Sequence, residues 1–169
     1  MHRLILFRHG KAERSASGGD IARRLTDRGR TDAALMGRML AERELIPDLA
    51  LVSAAMRTQE TWAAVHPSFP DARSEVTRDL YLAPEGLILN LAEERGETAG
   101  SIMVVGHNPG LHMLAIHLLR QAGAGAAIIA RAEAKFSTSS VAAFTFDEAG
   151  RPAYDGLFHA SDFGGGGGE

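Results

Sequence analysis

Three short runs of apolar residues divide the chain, at 4–7, 49–52 and 102–105. Runs of this length are typical of strands that are buried on both faces of a parallel sheet. A weaker strand pattern lies at 74–78. Four intervening segments are predicted to be helical, at 27–42, 54–65, 85–95 and 109–121. This alternation predicts an α/β fold, a three-layer α/β/α sandwich with a mostly parallel central sheet.

Residues with strong positional preferences mark the helix ends. Thr26 is a good N-cap for the first helix, and Pro84 starts the third. Asn108 is expected to cap the fourth helix, with Pro109 at its first helical position. The small residues 123–127 that follow are predicted to form a linker.

The C-terminal part is predicted to add an antiparallel edge to the sheet. Residues 136–146 alternate as in a strand, and a turn at 147–150 leads into a final strand at 152–159. The glycine-rich residues 164–169 have almost no side chains to bury and are expected to form a flexible tail. A single domain at 1–163 is therefore predicted.

Cationic and imidazole side chains follow the apolar runs directly. Arg8 and His9 follow the first run, with Gly10 behind them, and His107 follows the third. Arg57 falls in the first turn of the helix after the second run, where free N–H groups attract anions. Taken singly, each has a plain structural explanation, a polar loop or a solvated arginine. Three such strand ends together favour an anion-binding crevice at the carboxyl edge of the sheet.

Composition excludes several classes of function. A chain of 169 residues with net charge −3 indicates neither a nucleic-acid partner nor a membrane surface, and no apolar run could span a bilayer. The absence of cysteine rules out disulfides, thiolate zinc sites and cysteine nucleophiles. No spacing typical of metal ligands is visible, so neither a metal nor a cofactor is expected. A cytoplasmic location is expected by default.

The polar motifs resemble those of a known family. Three occur in order, namely Arg8-His9-Gly10, Ser53-x-x-x-Arg57-Thr58-x-Glu60-Thr61 and Val105-Gly106-His107-Asn108-Pro109. Together they resemble the signature of the histidine phosphatase superfamily, branch 1, which has the phosphoglycerate mutase-like fold. Two further stretches are similar to the small bacterial SixA-type phosphohistidine phosphatases, Arg23-Arg24-Leu25-Thr26-x-x-Gly29 and Ser137-Thr138-Ser139-Ser140.

The resemblance implies a role for each matched residue. His9 would be the nucleophile and would carry the phosphoryl group as a phosphohistidine. The equatorial oxygens would be held by Arg8, Arg57 and His107. Arg23 would be a further phosphate ligand, with Arg24 as the alternative. Gly10, from the freedom of glycine itself, is expected either to let the backbone turn sharply or to let a ligand come close to it. Glu85 lies roughly where many members carry a general acid, and Glu13 and Asp20 are its rivals.

The predicted function is that of a metal-independent phosphatase acting on phosphohistidine in a protein. A phosphatase of small phosphorylated metabolites is the alternative, and a non-catalytic phosphate-dependent binding module is a third. A mutase is less expected, because the interval between Arg57 and His107 is short. Phosphate or sulfate should bind between Arg8, His9, Arg57 and His107, where the sequence pattern predicts no compensating carboxylate.

Overall fold

A computed structural model describes residues 1–166 of the chain. Its central sheet has six strands: β1 (Arg3–Arg8), β2 (Leu49–Ser53), β3 (Arg73–Thr77), β4 (Ser101–Gly106), β5 (Val141–Phe146) and β6 (Pro152–Phe158). The α-helices are α1 (Asp27–Glu42), α2 (Met56–Val65), α3 (Glu85–Arg95), α4 (Gly110–Gln121) and α5 (Ala126–Ala134). Short 3₁₀ helices lie at Asp20–Ala22, His66–Ser68, Arg78–Leu80 and Ala160–Phe163.

The strand order is β3-β2-β4-β1-β5-β6. The four strands from β3 to β1 run parallel, whereas β5 and β6 are antiparallel additions. Arg8 lies opposite Gly106, and Val52 lies opposite Val105. The carboxyl ends of β1, β4 and β2 therefore sit side by side at one edge of the sheet.

Two apolar layers cover the faces of the sheet, and β1 contributes to both. Leu4 and Leu6 belong to the layer beneath α3, α4 and α5, whereas Ile5 and Phe7 belong to the layer beneath α1 and α2. All four side chains have no exposed surface. Burial on both faces explains why this strand is a continuous apolar run.

The α/β class, the mostly parallel sheet and the antiparallel edge are confirmed, and so is the Thr26 cap, whose side chain accepts from the Gly29 N–H. Helix α2 begins two residues later than predicted, because Ala55 is extended. Strand β5 begins only at Val141, because the preceding residues turn. Helix α5 was not predicted, since its alanine-rich start was interpreted as a linker although alanine is the best helix former.

Asn108 does not cap α4, and that prediction was wrong. Pro109 stands at the N-cap, and the Asn108 amide instead donates to the Phe136 carbonyl (2.8 Å). Of the predicted tail at 164–169, the last three residues lie outside the described part. Within residues 1–166, no helix is long and apolar enough to cross a membrane.

Candidate active site

His9 and His107 meet at the carboxyl edge of the sheet. They follow β1 and β4, which are parallel neighbours, and their ring centroids are 5.4 Å apart. His9 is 7% exposed and His107 is 3% exposed. The strand pairing thus brings the two predicted imidazoles into one crevice.

The His9 ring is fixed in one tautomer by its neighbour. Its Nδ1 lies 2.7 Å from the Gly10 carbonyl oxygen, which only accepts, so Nδ1 carries the proton and Nε2 keeps its lone pair. Burial lowers the pKa of His9 to about 3, helped by His107, Arg8 and Arg57. The ring is therefore neutral near pH 7 and has a free nucleophilic nitrogen.

The contacts of Gly10 are with the protein. Its N–H donates to the Thr61 hydroxyl (3.0 Å), and a Cβ added at Gly10 would lie 2.6 Å from the Gly29 carbonyl oxygen. Any larger residue would push the loop away from the start of α1. The close packing of Gly10 therefore keeps its carbonyl oxygen against His9 Nδ1. This packing explains the glycine without any bound ligand.

A buried loop, residues 137–140, holds the end of β1 from the side of β5. The Ser139 N–H donates to the carbonyls of both Arg8 (3.1 Å) and His9 (3.0 Å). Ser139 has a left-handed backbone conformation in this loop, with a φ of 59°. The Arg8 N–H donates to the Ser140 carbonyl (3.0 Å), and Arg8 Nη1 donates to the Phe136 carbonyl (3.0 Å). The strand end is thus fixed through backbone groups.

The His107 ring lies between a serine and a tyrosine. Its Nε2 is 2.7 Å from the Ser53 hydroxyl, and the Tyr81 ring meets it edge-on. Burial lowers the pKa of His107 to about 3, with the Arg57 charge as the next cause. Its Nδ1 is buried and has no hydrogen-bond partner among residues 1–166. That atom therefore has an unused hydrogen-bonding position in the described structure.

Arg57, near the start of α2, is 3% exposed and points at the segment after β1. Its Nη1 donates to the Asp20 carbonyl (2.8 Å), and its Nη2 donates to the Asp20 carboxylate (3.1 Å). Its Nε is buried without a hydrogen-bond partner in the described chain. The expectation that no carboxylate would compensate this charge was wrong, because Asp20 does so.

Asp20 collects three donors on one carboxylate. Besides Arg57, Arg23 donates to it (2.8 Å), and so does the Tyr81 hydroxyl. The Tyr81 hydrogen bond is the largest cause that holds the pKa of Asp20 well below its usual range. Arg23 thus lies beside the crevice, whereas Arg24 is engaged by Glu60 at 2.8 Å and 3.0 Å.

The other candidate carboxyl groups are placed differently. The Glu85 carboxylate lies 2.5 Å from His117 Nδ1, between α3 and α4, and the structure does not bring it to the two imidazoles. Glu13 uses its backbone carbonyl to accept from Arg23 Nε (2.7 Å), and Glu13 and Arg30 both line a cleft of the surface. Of the three, only Asp20 lies at the crevice.

Sequence reasoning did not assign site roles to Ser53, Thr61 or Tyr81. Ser53 and Thr61 were part of the second motif, and as polar residues at a buried strand end and on a buried helix face they could have been noticed. Tyr81 gave no such signal, because it lies in an irregular loop and reaches Asp20 across 61 positions.

Comparison with known proteins adds independent information. The family model of the histidine phosphatase superfamily (branch 1) matches residues 4–82. A Mycobacterium tuberculosis protein described as uncharacterized is 33% identical over 136 residues, which cover 80% of this chain and 84% of that protein.

Two solved structures share the whole fold. One is described as phosphohistidine phosphatase SixA from Agrobacterium tumefaciens, with a TM-score of 0.80 and 28% identity over 94% of this chain and 97% of that chain. The other is the protein histidine phosphatase SixA complexed with tungstate, with a TM-score of 0.77 and 24% identity over 95% and 99% of the two chains. At that identity the second match indicates the fold alone.

Proposed function

Because the chain belongs to the histidine phosphatase superfamily (branch 1), we propose that it is a metal-independent phosphatase in which His9 is transiently phosphorylated. The observation that carries this proposal is the His9 ring, neutral and held through Nδ1, with Nε2 free beside buried donors. The Nε2 lone pair attacks phosphorus, and the bond to the leaving group breaks with its electron pair. Water then cleaves the phosphorus–nitrogen bond, which releases phosphate and restores His9.

Three groups stabilise the charge on the transferred phosphoryl oxygens, namely Arg8, Arg57 and His107. Preorganised donors in a buried site favour the transition state, where charge on these oxygens must be stabilised. Arg57 Nε and His107 Nδ1 are buried and without protein partners in the described chain, so an oxyanion that displaces the groups covering them would supply the acceptors that they lack. If the Ser53 hydroxyl donates to His107 Nε2, the neutral ring carries its proton on Nδ1 and is a donor there. The tungstate in the SixA complex fits an oxyanion site of this kind.

We propose phosphohistidine in a protein as the substrate class. An alkoxide leaves poorly without a general acid, whereas a phosphorylated imidazole can take a proton from water and leave neutral. Asp20 is held as an anion and Glu85 is paired with His117, so neither supports strong acid catalysis. The 28% identity to the Agrobacterium tumefaciens protein described as SixA agrees with this substrate class.

Trapping the phosphoenzyme tests the mechanism. Rapid quenching with a labelled substrate should yield an acid-labile, base-stable phosphoprotein, absent in His9→Ala and retained in His66→Ala, which removes an exposed histidine after α2. Label on a serine or a carboxylate would contradict the mechanism. A phosphate-dependent binding module would give no label at all. Activity should also survive EDTA, and dependence on added Mg²⁺ or Zn²⁺ would contradict the metal-independent reaction.

A comparison of substrates tests the substrate class. The wild type should turn over a phosphohistidine protein faster than sugar phosphates, by about the 10²–10⁴-fold that general acids contribute. Glu85→Gln should change kcat/KM for the phosphohistidine protein by less than about threefold, because Glu85 lies away from His9. Efficient sugar-phosphate hydrolysis that collapses in Glu85→Gln would instead indicate a metabolite phosphatase with Glu85 as its acid.

A further inference from the structure

The Asp20 carboxylate occupies donors that an oxyanion in the crevice would also use. The carboxylate accepts hydrogen bonds from Arg57 Nη2 (3.1 Å) and Arg23 Nη1 (2.8 Å). The backbone carbonyl of Asp20 accepts one from Arg57 Nη1 (2.8 Å). Both terminal nitrogens of Arg57 are therefore engaged by one residue. An arginine has only five N–H donors in a fixed fork. A donor that Asp20 engages must therefore be shared with a bound anion or is unavailable to it.

The segment around Asp20 is built to deliver this carboxylate. Gly19, with a φ of +86°, turns the chain into the one-turn helix Asp20–Ala22, which points the side chain at Arg57. Tyr81, which follows the 3₁₀ helix Arg78–Leu80, adds a hydroxyl donor to the same carboxylate. The Asp20 side chain is 45% exposed and that of Arg57 is 4% exposed, so Asp20 lies above the buried arginine, on its solvent side.

Among residues 1–166, no other carboxylate is shown in this position. Glu60 is one turn along α2 from Arg57, but it is engaged by Arg24, Arg30 and the Leu25 N–H. Among the electrostatic influences on His107, Arg57, Arg8 and Arg23 lower its pKa, and Asp20 is the acidic group that raises it. Within the described residues, Asp20 is therefore the negative charge that a phosphoryl dianion would meet beside Arg57.

We propose that Asp20 is an internal competitor that shares Arg57 and Arg23 with the phosphoryl group and weakens the retention of free phosphate. The inference deepens the proposed function, because it rests on the same oxyanion site. After hydrolysis the product is inorganic phosphate with no leaving group to contribute binding. A fixed carboxylate beside it favours its release, since like charges in a partly buried site repel strongly.

Isothermal titration calorimetry with inorganic phosphate tests this role. Asp20→Asn and Asp20→Ala should each bind phosphate about tenfold more tightly than the wild type, the scale of one charge-assisted hydrogen bond. The matched control is Glu75→Gln, which removes a carboxylate paired with Arg95 at 2.8 Å on β3 and should leave phosphate affinity unchanged. Thermal unfolding of each variant verifies that it is folded.

Weaker or unchanged phosphate binding in both Asp20 variants would overturn the proposal, because it would mean that Asp20 serves only to hold Arg57 in position. The alanine variant guards against a gain that comes from the asparagine amide itself. The measurement needs no turnover, so a missing phosphoenzyme would defeat the proposed mechanism and leave this result standing. If neither the wild type nor the variants bind phosphate, the oxyanion site itself is refuted.

Discussion

The base and the mouth of the site are held by different interactions. The base consists of His9, His107 and Arg57, which are at most 7% exposed and stand on strand ends or a helix start. The mouth consists of Asp20, Arg23 and Tyr81, which come from irregular segments and are joined by hydrogen bonds between side chains. The base is fixed by the sheet, which cannot shift without disturbing the core, whereas the mouth depends on exposed charge pairs that water and salt weaken.

The largest expected difference between the two regions is in catalysis. His107→Ala should lower kcat/KM about 10²–10³-fold, because it removes a preorganised donor to the transferred phosphoryl group. Tyr81→Phe keeps the ring and removes one hydroxyl, so it should cost about tenfold or less. Steady-state kinetics on one phosphorylated substrate gives both values. Equal losses would show that the mouth takes part in the chemistry as directly as the base.

Phosphate binding should separate the two arginines. Arg57→Ala should weaken the binding of inorganic phosphate at least about tenfold, because a buried guanidinium makes charged hydrogen bonds with little screening. Arg23→Ala should weaken it by about threefold or less, since its side chain is partly exposed and already paired. Calorimetric titration at two salt concentrations measures both. A larger loss in Arg23→Ala would reverse the assignment of base and mouth.

Much of the base was predictable, and most of the mouth was not. The apolar runs fix where β1, β2 and β4 end, and parallel pairing then places His9 beside His107 without any knowledge of side-chain contacts. The Asp20–Arg57 contact spans 37 positions and depends on a turn at Gly19. No periodic pattern encodes such a contact between irregular segments, so the pairing of Asp20 with Arg57 and the position of Tyr81 escaped prediction. Helix α5 was missed for a different reason, its alanine-rich start.

The neutral imidazoles of the base should make stability depend on pH. Burial lowers the pKa of His9 and of His107 to about 3, below the value of about 6.5 in the unfolded chain. As pH falls from 6.5 towards 3, the unfolded state binds protons that the folded state does not bind. The free energy of unfolding that these neutral rings contribute above pH 6.5 is therefore lost in this window. His159, whose pKa burial lowers to about 4, acts in the same direction.

Urea unfolding at pH 7.0, 5.5 and 4.5 measures this dependence. Stability should fall by at least about 1 kcal/mol over the range, since one pKa unit corresponds to about 1.4 kcal/mol. His107→Asn should flatten the slope, and His66→Asn, which changes an exposed histidine, should not. A slope unaffected by His107→Asn would mean that this ring is not held neutral by the fold.

The smallest expected effect concerns Leu82, next to Tyr81 at the mouth. Leu82 is 51% exposed and has a φ of 52°. This left-handed conformation is unfavourable for residues other than glycine. Leu82→Gly should stabilise the protein by about 0.5–1 kcal/mol by removing that strain. Leu87→Gly, at an exposed helical position in α3, should instead destabilise it by about 1 kcal/mol. Thermal unfolding that shifts both variants in the same direction would contradict this interpretation.

The position of β1 in the sheet has a consequence for how the chain is made. Its neighbours are β4 and β5, so Arg3 pairs with Ser101 and with Thr145. At about 5–20 residues per second, the ribosome needs several seconds or more after β1 to deliver its first partner strand. During that interval β2 and β3 can already pair, while the apolar run at 4–7 has no strand to cover it. The strand that leads to His9 is thus made well before either of its partner strands, and it can complete its place in the sheet only when β4 and then β5 have followed it.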